Sequence, residues 1–246
     1  MSTQYDPRTA LGRTGVEARA DIDQGLRSYM LGVYNNMAVG VALTGLVAYA
    51  FGNFAPLSQL IVSPVTGRPT IFFYIAAFSP LALVFLFGAA VNRLSAWGVN
   101  ALFFGFAALM GVSLSTIFMV YTDASIAKVF FITAATFASL SLWGYTTKKD
   151  LSGWGTFLFM GVIGLIIASL VNIFLKSSMM SFVISVIGVL VFSGLTAYDT
   201  QRIKEMYFAG DDSETMGKKI AVGAFALYTN FINLFMMLMQ LFGQRE

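Results

Sequence analysis

Apolar residues in this chain fill seven long, continuous stretches separated by short polar segments: Ser28–Phe51, Ile71–Asn92, Trp97–Tyr121, Ile126–Thr147, Trp154–Leu175, Met179–Tyr198 and Ile220–Phe242. A helix needs about 20 predominantly apolar residues to cross a hydrocarbon core about 30 Å thick, and each stretch meets that length. A membrane barrel would instead show alternating segments of about ten residues. Across all seven stretches the one Lys, Arg, Asp or Glu is Lys128. It lies near the start of its span, where its stem can carry the ammonium to the interface. The pattern predicts an all-α integral membrane bundle of seven transmembrane helices, spanning residues 28–246 as one domain. A polar tail, Met1 to Arg27, precedes it; with no apolar run before a small-residue cleavage site, it does not read as a cleavable signal peptide.

The connections are short. The two longest run from Gly52 to Thr70 and from Asp199 to Lys219. Pro56, Pro64 and Pro69 predict an irregular surface loop in the first. Asp211, Asp212 and Glu214 predict a solvated acidic turn in the second, without the spacing of a calcium-binding EF-hand.

Orientation follows from the cations. With the N-terminus inside, the inner segments hold Arg8, Arg13, Arg19, Arg27, Arg93, Lys148, Lys149, Arg202, Lys204, Lys218 and Lys219, whereas the outer segments hold Arg68, Lys128, Lys176 and Arg245. The bias predicts a cytoplasmic N-terminus. It holds whether the last segment spans or is re-entrant, because only Arg245 would change sides.

Composition agrees with the pattern and narrows the chemistry. The chain is 57% hydrophobic and 11% charged, against about 25% charged in soluble domains. There is no Cys and no His. Disulfides, thiolate chemistry, the usual zinc ligands and imidazole catalysis are therefore excluded. The net charge of +3 is small, and the aromatics lie in the apolar runs, which argues against nucleic acid. No cofactor is expected. Small residues at Gly161, Gly164 and Ala168, and at Gly188, Ser193 and Gly194, mark helix-packing faces.

Three polar positions stand out. The residues after Asp199 favour a helix that continues to about Glu205, so Asp199 lies inside the membrane boundary. Arg93 follows the second apolar run on the same predicted side. A carboxylate at depth is costly unless it pairs or meets water, and the guanidinium fork of Arg93 suits it. The pair is either an ion pair at depth or two helix-end residues among the headgroups. Asn230 sits in the middle of the last run, with Asn233 three residues on. Interhelical hydrogen bonding and a pore-lining role are both open to them. An aspartyl intramembrane protease needs a second membrane carboxylate, and no other span carries one. A retinal pigment needs a Lys in the last span. No enzyme is expected.

At three blocks the chain resembles the Bax inhibitor-1 family, the transmembrane Bax inhibitor motif proteins, and its bacterial branch in particular. The blocks are Thr133 to Leu158, Thr196 to Tyr207 and Ala226 to Gly243. The likeness runs from about Arg93 to the C-terminus; the first two spans match in hydropathy alone. The resemblance implies six helices around a central seventh, and a calcium leak gated by pH. In that family two aspartates on the last two helices share a proton, and an arginine from the second helix can lock one of them. The first aspartate falls on Asp199 and the arginine on Arg93, with Asp199 as a transient calcium contact. Where the second aspartate is due, this chain has Asn230. An Asp–Asn pair holds one proton site where two carboxylates would titrate together, so pH gating is expected to be altered. The alternative is a non-conducting partner of a membrane ATP-dependent protease, gripped by the tail Met1 to Arg27. The resemblance also implies a bacterial inner membrane.

Overall fold

A computed structural model gives residues 7–244, with the side chains of all but 7–22 and Leu81. Of the predicted tail, residues 1–6 lie outside the described residues; from Pro7 to Arg27 it is helix continuous with the first span, with side chains given from Asp23.

The helices are α1 (Pro7–Asn53), α2 (Ala55–Ile61), α3 (Ile71–Ala90), α4 (Ala96–Leu114), α5 (Asp123–Thr146), α6 (Trp154–Leu175), α7 (Ser178–Glu205) and α8 (Ser213–Phe242), with a 3-10 turn, Ser115–Met119, closing α4. Seven of them are long and apolar enough to cross a membrane. Five begin on a side chain that accepts a hydrogen bond from the backbone N–H three residues on: Thr70, Ser95, Thr122, Ser177 and Asp212. Each cap satisfies one donor that the first helical turn leaves unpaired. The helix carrying Asp199 does continue to Glu205. The last helix is unbroken over 30 residues, about 45 Å at 1.5 Å per residue, so it is long enough to cross and does not turn back on itself.

The loop between the first two spans is more ordered than its prolines suggest. It forms α2 and an antiparallel bridge between Val62 and Pro69. Pro56 stands at the start of α2, where a missing N–H costs nothing.

The core is built around α8. Its apolar face packs on α1, α4, α5 and α7. Near its middle Tyr228 meets Phe103 and Phe106 edge to face, and toward its C-terminal end Leu234, Leu238 and Met239 share a cluster with Ile117, Val129 and Ile184. The other two spans lie further out. Helix α6 packs on α7; α3 packs on α2 and α4 and reaches α8 through Phe87, whose ring stacks on Phe225 at 4.1 Å. The central helix is thus ringed by four spans, with α3 and α6 as outer flanks. Of the predicted packing faces, Gly188 lies against Met237, Gly194 against Leu158 and Gly161 against Val191, whereas Gly164 faces open space.

Candidate functional site

Asp199 lies on α7, six residues before the helix ends, and Asn230 lies midway along α8. The two helices bring them together. Asn230 Nδ2 donates to Asp199 Oδ2 at 2.8 Å, with Asp199 only 8% and Asn230 4% exposed. Asn230 is thus an interhelical partner. Asn233 is not: its amide donates to the Thr229 carbonyl of its own helix.

The cation beside Asp199 is Arg202, with Nη1 3.8 Å from Oδ1. Arg93 is not there. It is exposed, in the turn after α3, and no ion pair joins it to Asp199. The expected lock is therefore not formed in this conformation, for two physical reasons. α3 packs on α2 and α4 rather than on α7. Residues three apart on a helix already face one another, which gives Asp199 a guanidinium from its own helix. That i, i+3 spacing was visible in the sequence and outranks a long-range partner.

The surroundings of the pair are denser in polar contacts than hydropathy suggested. Ser141 on α5 shares hydrogen bonds with Thr200 on α7 at 2.9 Å and with Tyr34 on α1 at 2.6 Å. Gln201 reaches the α5–α6 turn: its Oε1 accepts from the Leu151 N–H at 2.8 Å and its Nε2 donates to the Lys149 carbonyl at 2.8 Å. Lys204 donates to the Tyr145 carbonyl at 2.9 Å, near the C-terminus of α5. In the same turn Asp150 accepts from the Ser152 N–H at 2.8 Å, which holds its carboxyl below the usual aspartate range. Backbones also close in. A Cβ added to Gly144 would lie 2.3 Å from the Ala197 carbonyl oxygen, so α5 and α7 touch where no side chain fits.

The acidic turn after α7 is likewise engaged rather than merely solvated. Asp211 pairs with Lys219, whose ammonium also donates to the Met206 carbonyl. Asp212 caps α8 through the Thr215 N–H at 2.8 Å, and hydrogen bonds from the Thr215 side chain and backbone lower its carboxyl pKa. Glu214 accepts from the Ala96 N–H at 2.7 Å and so ties α8 to α4.

These contacts put the three sequence blocks in one place. The Thr133 to Leu158 block supplies Ser141, Gly144 and the turn; the Thr196 to Tyr207 block supplies Asp199, Thr200, Gln201 and Lys204; the Ala226 to Gly243 block supplies Asn230. The arrangement offers one buried carboxylate with a neutral amide beside it. Among the described residues no group of three or more Asp, Glu, His or Cys could hold a metal ion. Calcium takes six to eight oxygens. Asp199 and Asn230 could touch a passing cation but are too few to retain one.

A family model described as inhibitor of apoptosis-promoting Bax1 matches residues 26–246. A protein of Caulobacter vibrioides is 47% identical over 231 residues, 92% of each chain. One of Rickettsia prowazekii is 46% identical over 224 residues, 91% of this chain and 92% of the relative. The inner membrane protein YbhL of Escherichia coli is 47% identical over 224 residues, 90% of this chain and 94% of the relative. With blocks that meet at one buried pair and a family match over nearly its whole length, this chain belongs to the Bax inhibitor-1 family of membrane proteins.

Proposed function

We propose that this protein is a passive cation leak, most favourably for calcium, in a bacterial inner membrane, with its N-terminus in the cytoplasm. The observation that carries the reading is Asp199: a carboxylate 8% exposed, inside a span, bonded to a neutral amide. Ionisable groups at such depth are expensive and mark ion pathways by default. A mere helix contact could be made by two amides at lower cost. The membrane assignment draws on the name of the E. coli relative, and the orientation on eleven cations against four.

The present conformation is closed at the pair. Asn230 Nδ2 and Arg202 occupy the two carboxylate oxygens. Conduction requires α7 and α8 to part, which frees Asp199. Turning the Asn230 amide then presents its carbonyl oxygen, so a cation meets one charged and one neutral ligand in place of the amide N–H. The single charge favours brief residence, which a leak needs.

The test is calcium uptake into proteoliposomes. Asp199→Asn is expected to lower flux about tenfold or more, while Arg93→Ala leaves it unchanged. Equal flux through wild type and Asp199→Asn would overturn the proposal.

A further inference from the structure

We propose that the cleft between α1 and α5 at the Arg27 end is a binding site for an anionic phospholipid of the surrounding leaflet. Both helices pack on α8, but among the described residues they do not pack on each other; they are bridged by the Tyr34–Ser141 hydrogen bond. Beside that bridge lies a cavity of about 530 Å³, within the roughly 300–1,000 Å³ of small-molecule clefts. Its walls include Met30, Leu31, Phe137 and Leu142, and Leu31 and Leu142 are 51% and 64% exposed on the outer surface of the bundle. The cavity therefore opens sideways, toward acyl chains.

Charge complementarity selects the occupant. Arg27 lines the mouth and is exposed. It makes no ion pair with any described carboxylate, the nearest on its own helix being Asp23, four residues back. Behind Tyr145 on the other wall, the Lys204 ammonium lies 4.9 Å over the ring and is held by the Tyr145 carbonyl, adding positive charge nearby without lining the cavity. Among the described residues no Asp or Glu lines the cavity. An apolar cleft between spans with an exposed guanidinium at its mouth fits a phosphate headgroup with its chain laid inward. A guanidinium suits the phosphate bidentately. A free phosphate would leave the apolar walls unused, and a zwitterionic lipid would bring an ammonium toward the Arg27 guanidinium.

The experiment places purified protein in phosphatidylcholine nanodiscs. They are doped with phosphatidylglycerol that carries a photoreactive group on one acyl chain, and cross-links are mapped by mass spectrometry. Labelling is expected within residues 27–34 and 137–145, competed by unlabelled phosphatidylglycerol and not by millimolar inorganic phosphate. Arg27→Gln should reduce it about five-fold, the scale of one basic contact at a charged surface. Ala138→Trp, which fills the cleft, should abolish it. Equal labelling by photoreactive phosphatidylcholine, competition by free phosphate, or labelling unchanged in Arg27→Gln would each overturn the proposal. Arg27 is a surface side chain, so that variant keeps the test valid even if Ala138→Trp misfolds. The readout is independent of calcium flux and stands or falls apart from the leak.

Discussion

Helices α6 and α8 both read as membrane spans, yet they occupy opposite extremes of the bundle. The most apolar window of α6 is 11% buried and that of α8 is 56% buried. The more apolar helix is the outer one. In lipid, burial is not driven by apolar surface, because acyl chains are as apolar as leucine; helices associate through close packing and polar contacts. Helix α8 carries Tyr228, Asn230 and Gln240, each bonded to another helix at Thr44, Asp199 and Ser185 respectively. Helix α6 meets lipid with Phe157, Phe159, Phe174 and Leu175, all well exposed. The most buried span of this protein is one of its moderately polar ones, and its greasiest span is its least buried.

The largest effect that can break this contrast is at glycine. Gly144→Ala would drive a Cβ into the Ala197 backbone, at 2.3 Å from its oxygen and 2.9 Å from its Cα. Overpacking of this kind costs about 1–3 kcal/mol, and here the neighbour is backbone that cannot rotate away. Gly164→Ala on α6 meets nothing within 4 Å and should stay within about 0.5 kcal/mol of wild type. Thermal unfolding in detergent micelles compares the two; equal losses would mean that α5 and α7 are not in contact.

Next comes Gln201, whose amide holds the α5–α6 turn by two hydrogen bonds. Gln201→Ala should cost about 1–3 kcal/mol, at roughly 0.5–1.5 kcal/mol per bond. It should also speed amide exchange at Leu151 more than in α6. Unchanged protection at Leu151 would show that the turn holds itself. The smallest effect is at Asp212, an exposed cap whose pKa is lowered by its bond to Thr215. Its contribution is present above the ordinary aspartate range and is lost as pH falls through the lowered folded-state value. Asp212→Ala should therefore lower the melting temperature slightly at neutral pH and match wild type in strong acid. A gap that widened in acid would reverse the sign.

Much of the fold was legible because membrane spans are written as length. Trp154–Leu175 was read to the residue, and the continuation of α7 to Glu205 followed from the amphipathic residues after Asp199. Helix α2 was hidden, since seven residues with a proline in the first turn carry too little periodicity to separate helix from turn. At the site, Asp199 and Asn230 announced themselves as polar residues in apolar runs. Their contact required knowing that α7 and α8 pack at that register, which single-chain hydropathy does not encode. The Arg93 pairing failed for the complementary reason: a shared predicted side of the membrane fixes depth and leaves lateral position free. Ser141 and Gln201 gave no separate signal, because a hydroxyl or amide near a helix end is ordinary.

The most direct test of the Asp199–Asn230 account is calcium flux against pH for wild type, Asp199→Asn and Asn230→Asp. Asn230→Asp replaces an amide bonded at 2.8 Å by a second carboxylate, and two such groups share protons in coupled steps. The account predicts little flux through Asp199→Asn at any pH. In Asn230→Asp it predicts flux that is higher than wild type when both carboxylates are ionised and falls steeply as they share a proton. A profile for Asn230→Asp that superimposes on wild type, beside an Asp199→Asn variant that still conducts, would contradict it.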